Sequence, residues 1–463
     1  VNGSLAIAPA RVRWAARCAV VLVALAALHP VLANGFLNVA FDDPGFVTEV
    51  DTIGPWSWQR LWMCFDRPYL HDYVPLPMVS YLLDYQLWSL DPRGYHLTNL
   101  LLHIVAALLV LQWVETTLKS TAAGLWAGLV FAVHPVQVEA VAIVAQRKTL
   151  LSTVFLLLAL LAYQRFTLQK RAVWNGFGIA AFAAACVSKS SVVPFPVLLL
   201  LYDWFTGKPV NLRNKLPYFA IAIATAGASV ALKTVDVIKA AHADSALATA
   251  LVMSRVWWEY LVSLFLPTSL SPAYYYQRAT LYQPLHYAAL LGFCAGVWAL
   301  WRNRRRIPTT AFWIAWMLVA LLPVANLVPI AVVRADRYLY LPMVAFALWV
   351  GAGLARLRTA SAGSQRAAWL VGALWCAWLA RESHAYTAVF RDDVSARGYV
   401  VERYPWAAPA HYLLALAWIE NGEWLRAQAS AQAALALDPQ FHRARDLLGE
   451  LEQRLTHPPS AEE

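Results

Sequence analysis

Charge is scarce in this chain. Of its 463 residues, 14% are Asp, Glu, Lys or Arg and 60% are hydrophobic, whereas soluble proteins carry about 25% charged residues. A deficit of that size points to lipid as the solvent. Cysteine is scarce as a pattern: the five (Cys18, Cys64, Cys186, Cys294, Cys376) are scattered without CxxC or His spacing. Four lie within apolar segments, which argues against a zinc site or a disulfide framework. The net charge of +10 is not a nucleic-acid signature, because Lys and Arg sit mainly between apolar runs, where the positive-inside rule puts them. A cleavable leader is not evident. Arg11, Arg13 and Arg17 precede an apolar run ending at His29-Pro30, which reads as an uncleaved first span.

What the chain has is long apolar runs. A bilayer core needs about 20 residues of helix, because unpaired backbone groups are costly in lipid. The expectation is an all-α, polytopic membrane protein with about eleven transmembrane helices, near 14–33, 96–114, 121–134, 150–166, 173–187, 191–205, 216–233, 285–301, 310–328, 337–354 and 367–384. The 22 Trp and 20 Tyr gather near span ends, as in Trp56, Trp58, Trp62, Trp257, Trp258, Tyr274, Tyr275 and Tyr276, and read as a headgroup belt.

Charge sets the sidedness. The N-terminal arginines, Arg165/Lys170/Arg171, Lys208/Arg213/Lys215, Arg302/Arg304/Arg305/Arg306 and Arg356/Arg358/Arg366 fall on one side, which is then cytoplasmic. Loop 34–95, with Asp42, Asp43, Glu49, Asp51, Asp66, Asp72, Asp84 and Asp91 against three Arg, falls outside. Segment 252–266 resembles another span, but it carries the (i, i+4) pair Arg255 and Glu259, expensive in hydrocarbon. A crossing there would also send Arg302–Arg306 outward, so it reads as a helix lying along or dipping into the outer face. The N-terminus is then expected on the cytoplasmic side and the C-terminus on the outer side. The membrane domain is expected over 1–394.

From 395 to 463 the composition becomes that of soluble helices in a tetratricopeptide phase. Small Ala415, Ala427 and Ala434 mark helix contacts, Trp418 is the large residue opposite, and Pro439 opens a second repeat. Such repeats bind proteins or peptides, so a protein partner through this tail is one expectation and a packed cap the other.

Four polar clusters fall on the outer side. Asp42 and Asp43 follow the first span. Pro44 biases Asp43 toward extended backbone, so that one carboxylate serves as base, Asp43 by preference, while the other positions it or a divalent cation such as Mg or Mn. Pro135 breaks the third span just after His134, and Glu139 begins a non-spanning helix at the outer surface, followed by Gln146, Arg147 and Lys148; His134 either caps a helix or lines a site. Lys189 lies between two span ends and either snorkels or binds. Arg334, Asp336, Arg337 and Tyr340 lead into a span at Pro342, and two outer arginines suit a phosphate held at headgroup depth. A base opposite phosphate binders is equipment for displacing a sugar from a lipid phosphate.

At these residues the sequence resembles GT-C superfamily glycosyltransferases, specifically bacterial relatives of the transmembrane and tetratricopeptide-containing O-mannosyltransferases. The likeness runs through FDDPGFVTEV, GYHLTNLLLHIVAALLV, FAVHPVQVEAVAIVAQRKTLLSTVFLLLALLAY, SKSSVVPFPVLLLLYDWF, RADRYLYLP and the repeat tail, in that order. It implies a catalytic aspartate at Asp42 or Asp43, a polyprenyl-phosphate-linked sugar as donor, and inversion at the anomeric carbon. The polar clusters themselves supply the expected substrate contacts, Arg337, Arg334, Lys148, Lys189, His134, Glu139 and Tyr340, and the expected setting is the outer face of a bacterial inner membrane, with the C-terminus periplasmic. The family pattern commonly has His where Gln137 stands, an acid at Gln146, Asp at Thr149 and Pro at Ser190. The expected activity is transfer to a protein hydroxyl or a surface glycan. One rival is an inactive membrane scaffold that recruits envelope-assembly proteins through the tail. The other is a transporter, which would place its polar residues at mid-membrane.

Overall fold

The computed structural model describes residues 7–232, 245–277, 282–327, 330, 332–356 and 362–456. Arg358 and the final residues of the expected 216–233 and 310–328 segments lie outside them. Among the described residues the fold is all-α. In chain order the helices are α1 Ala10–Leu28, α2 Trp58–Asp66, α3 Pro75–Trp88, α4 Pro92–Leu118, α5 Thr121–Val133, α6 Val138–Ala142 and α7 Arg147–Gln169. Next come α8 Ala172–Cys186, α9 Phe195–Phe205, α10 Leu216–Leu232, α11 Ala246–Phe265, α12 Pro284–Asn303, α13 Pro308–Ala320, α14 Pro342–Arg356 and α15 Ala362–Thr387. The tail holds α16 Asp393–Arg403, α17 Ala408–Glu420, α18 Trp424–Leu437 and α19 His442–Thr456.

Every expected apolar segment carries a helix. Among the described residues, 5 helices are long and apolar enough to cross a membrane, or up to 6 if α5 and the bent stretch after it count as one. Helices α8, α9, α13 and α14 are apolar but shorter. Proline accounts for much of this: Pro135, Pro194, Pro323 and Pro342 each stand where an α-helix gives way to a 3-10 turn or begins after one, since proline removes a donor and excludes the preceding turn. All four lie at one end of the bundle.

Side-chain ties show the two ends. At one, Arg17 pairs with Glu115 at 3.0 Å and Lys215 with Asp203 at 2.5 Å, and the loops joining α4 to α5, α7 to α8 and α9 to α10 gather there. At the other, Asn34 Nδ2 donates to Thr387 O at 3.2 Å, and loop 34–95 meets the segments following α5, α8 and α15. The intervening core is continuous through α4, α5, α7 and α14, with Trp113, Phe131 and Tyr340 fully buried.

Helix α5 stops at His134, and the chain then bends by 56° into the Pro135–Ala142 stretch. The backbone groups freed by this bend are met from within the protein. Asn99 of α4 donates to Val141 O at 3.3 Å and Ile143 O at 3.2 Å, and Tyr81 of α3 donates to Val144 O at 2.9 Å. Irregular backbone is tolerated at membrane depth only when satisfied this way.

Helix α11 covers the 252–266 segment, and Arg255 pairs with Glu259 at 2.8 Å as its spacing suggested. Its contacts keep mainly to the loop 34–95 end, although Phe265 reaches Trp313, Phe346 and Trp349. In the tail, α17, α18 and α19 close on Ala415, Ala427, Ala431, Leu447 and Leu451. Small residues at the seam let the helix backbones approach.

Candidate active site

Loop 34–48, the bend 134–146, segment 272–276 and segment 332–341 converge around a cavity of about 380 Å³ lined by Asp42, Gln146, Tyr274, Arg334, Arg337 and Arg397, among others. Asp42 opens into it with its side chain 43% exposed, while its Oδ2 takes a bond from Lys148 Nζ at 3.1 Å. Lys148 Nζ also reaches Asp72 Oδ2 at 3.4 Å and lies 4.6 Å from the Phe46 ring centre. Behind it, half-buried Lys189 donates to Thr149 Oγ1 at 2.8 Å, and Thr149 donates to Gln146 Oε1 at 3.1 Å. A polar chain thus runs from a half-buried ammonium to the cavity wall.

Arg337 is held by Glu139, whose two oxygens take the guanidinium and, at 2.7 Å, the Arg337 backbone N–H. Arg334 donates to Glu259 at 2.6 Å and Ser263 at 3.1 Å, and its guanidinium lies 3.9 Å from the Tyr274 ring centre. Tyr274 in turn donates to buried Asp336 at 2.5 Å, which also accepts from Tyr386 at 3.1 Å.

The field follows from these contacts. Burial alone would raise the Asp42 carboxyl, but Lys148, Arg337 and Lys189 together outweigh it and hold the group below its ordinary value. Burial, with Lys148 and Arg337 nearby, pushes Lys189 down to about 7. Asp43 is pushed up to about 7 by burial, against the backbone N–H groups that bond it. Burial, then the facing Glu139, raises Asp336 to about 7.

Asp43 departs from the sequence expectation. Its backbone is helical, φ −57° and ψ −41°, not extended, despite Pro44. The side chain is fully buried, and its oxygens accept from Leu37 N–H at 3.0 Å and Ala145 N–H at 2.7 Å. Two buried charge-assisted bonds offset a pre-proline preference that is steric but not absolute. Asp43 therefore pins loop 34–48 to the bend, while Asp42 faces the cavity.

The other expected residues divide. Arg337 and Arg334 line the cavity, and Lys148 and Lys189 stand behind Asp42 and Gln146. His134 takes the capping role: Nδ1 accepts from Val136 N–H at 3.3 Å and Nε2 meets Leu264 O at 3.0 Å. Tyr340 turns into the core, its hydroxyl 2.8 Å from His103 Nδ1. Glu139, expected at the surface, is fully buried against Arg337. These three face protein because Pro135 and Pro342 turn the backbone inward there. Sequence reading missed Gln146, Tyr274, Asp72, Asp393 and Arg397 as site residues. Tyr274, read as part of a headgroup belt, is a cavity wall bonded to Asp336, and only its neighbours in space reveal that.

The Asp42–Asp43 pair does not fit a divalent cation. Both Asp43 oxygens are occupied by backbone N–H groups, Asp42 is bonded to an ammonium, and among the described residues no group of three or more His, Cys, Asp or Glu side chains gathers as a metal site. The positive charges that act on Asp42 are those of Lys148, Arg337 and Lys189.

On the far side of α11 lies a second, apolar cavity of about 750 Å³, bounded by residues that include Met253, Trp257, Phe293, Leu318 and Leu322.

No family model matches the chain. Part of it is similar to curated proteins: 45% identical over 142 residues to the protein O-mannosyl-transferase Tmtc1 of Drosophila melanogaster, covering 30% of this chain and 16% of that one. It is 32% identical over 143 residues to the human protein O-mannosyl-transferase TMTC3, covering 30% and 16%. The matched stretch therefore spans about a sixth of these relatives. Among solved structures, the apo oligosaccharyltransferase of Archaeoglobus fulgidus aligns with a TM-score of 0.45 at 14% identity, over 81% of this chain and 56% of that one. The same enzyme tethered to an acceptor peptide aligns at 0.47. Over that shared stretch, the sequence of this chain is similar to the TMTC protein O-mannosyl-transferases.

Proposed function

We propose that this chain is a membrane glycosyltransferase that moves a sugar from a polyprenyl-phosphate-linked donor to a protein hydroxyl on the outer face of a bacterial inner membrane. The observation that carries the reading is an ionised, solvent-reaching carboxylate, Asp42, in one cavity with Arg337 and backed by Lys148 and Lys189. Asp42 takes the proton of the acceptor hydroxyl, whose oxygen attacks the anomeric carbon. The bond from that carbon to the phosphate oxygen breaks, and the configuration inverts.

As the sugar leaves, the donor phosphodiester becomes a monoester and gains negative charge. Cations that meet this charge bind the transition state better than the ground state, the condition for lowering a barrier. The apolar cavity beyond α11 suits the isoprenoid chain. A protein acceptor, in preference to a surface glycan, is supported by the activity named for the relatives. The basic loops at the opposite end support a cytoplasmic N-terminus and a periplasmic tail.

Mass spectrometry of envelope proteins and glycans, in cells with the gene, without it, and with Asp42→Asn, tests the reading. The expected result is glycosylated Ser or Thr peptides only in the first strain. Identical modifications in all three strains would support the scaffold reading instead.

A further inference from the structure

We propose that Asp393 and Arg397, on the first helix of the tail, are positioning residues that hold Asp42 at the cavity wall. The inference rests on the reading of Asp42 as base. The two residues are one helical turn apart and share a face of α16, whose start is fixed by the Asp392 side chain accepting Ser395 N–H at 2.7 Å. Both are buried.

The Asp393 carboxylate accepts Asn38 N–H at 2.9 Å and Val39 N–H at 3.0 Å. The Arg397 guanidinium donates to Val39 O and lies 4.0 Å from the centre of the Phe41 ring. The clamp thus grips residues 38, 39 and 41, immediately before Asp42. Between its two jaws Ala40 has φ +52°, left-handed backbone that a residue with a Cβ adopts at a cost and keeps only when its surroundings enforce it. Asp43 anchors the loop on the other side through Leu37 and Ala145. Asp42 is therefore held from before and after, and one of the two holds comes from the tail.

The tail also reaches the opposite wall of the cavity. Leu413 of α17 lines it, Tyr404 packs edge-on against Tyr275 at 5.8 Å, and Arg403 donates to Thr268 O at 3.0 Å. Helices α16 and α17 are thereby part of the site itself.

The test uses the full chain in nanodiscs, as wild type, Asp393→Asn, Arg397→Met and Arg397→Lys. Asparagine keeps the shape of Asp393 but offers one acceptor oxygen where two N–H groups need partners. Methionine keeps the Arg397 stem without its donors. The expected result is a kcat lowered on the order of tenfold to a hundredfold in Asp393→Asn and Arg397→Met, with donor Kd unchanged in Asp393→Asn, whose site does not line the cavity, and partial recovery in Arg397→Lys. Hydrogen exchange should quicken in the peptide spanning Asn38 to Asp42 in the same two variants. Wild-type kcat in both folded variants, unaltered exchange in that peptide, or a loss confined to donor affinity and Tm would each overturn the proposal. A wild-type chain without transferase activity would overturn the functional reading, and the exchange arm would then decide the clamp alone.

Discussion

At the residue scale, the chemistry turns on how few charges there are and where burial leaves them. In a chain this poor in charge, Asp42, Asp43, Lys148, Lys189 and Arg337 stand out from sequence; Asp42 and Arg337 line one cavity, and Lys148 and Lys189 stand behind its wall. Which carboxylate faces it was not legible, because the answer lies in two backbone N–H groups, those of Leu37 and Ala145, one of them about a hundred residues away. Lys189 gives a pH prediction. Its ammonium titrates near 7, so it is charged below that pH and neutral above. A phosphate favours the charged form, so donor affinity should fall as pH rises through about 7. Lys189→Met should bind more weakly at low pH and lose that dependence, as calorimetry across pH would show. Asp42 behaves oppositely. Its carboxyl is held low by neighbouring cations, which the bound phosphate partly neutralises. The acid limb of kcat should therefore lie at higher pH than that of kcat/KM, and coincident limbs would count against Asp42 as base. Arg337→Ala should weaken donor binding about ten- to a hundredfold, since charge-assisted bonds are worth roughly 1.5–3 kcal/mol. Arg337→Lys should recover part of this, because a point charge lacks the planar fork. If Arg337→Ala lowers Tm but leaves donor affinity intact, the residue serves only its bond to Glu139.

At the element scale, helix positions were legible because apolar runs, proline and side-chain caps all act locally. Ser120 and Asp91 cap the helices that follow them, and Pro135 ends α5 where expected. The bend after α5 was foreseen as a break but not as a buried one, since what buries it, Asn99 and Tyr81, comes from α3 and α4. The same distance hid α16, whose Asp393 and Arg397 meet residues some 355 positions earlier. Asn99 offers a test of the bend. Its Nδ2 donates to the carbonyls of Val141, Ile143 and Val144 and its Oδ1 accepts from Arg147 Nε at 2.9 Å, and each buried group left unpaired costs about 1–3 kcal/mol. Asn99→Leu, of similar shape, should lower Tm in detergent by several degrees and disturb the Asp43 contact with Ala145. An unchanged Tm would mean that water or another group replaces the amide.

At the scale of the whole molecule, the alternation of helices collects basic loops at one end and Asp42, Asp43, Lys148, Lys189, Arg337 and the tail at the other. Composition carried this arrangement, because a membrane protein sorts its charges by side. A phosphatase fused after Thr456 should be active, and one fused at Lys208 inactive. Reversed activities would put the cavity on the wrong face for an exported acceptor. A transporter would gather its polar residues at mid-membrane, whereas Asp42, Lys148 and Arg337 sit with loop 34–95 at one end of the bundle. The central claim, that Asp42 is the base of a lipid-phosphate glycosyl transfer, is met most directly by single-turnover transfer from polyprenyl-phosphate sugars to a Ser- and Thr-containing peptide, with wild type and Asp42→Asn in nanodiscs. The account predicts sugar on the peptide with wild type, and with Asp42→Asn a transfer rate lower by a factor on the order of a hundred or more, at unchanged donor affinity. Transfer by Asp42→Asn at the wild-type rate would contradict it.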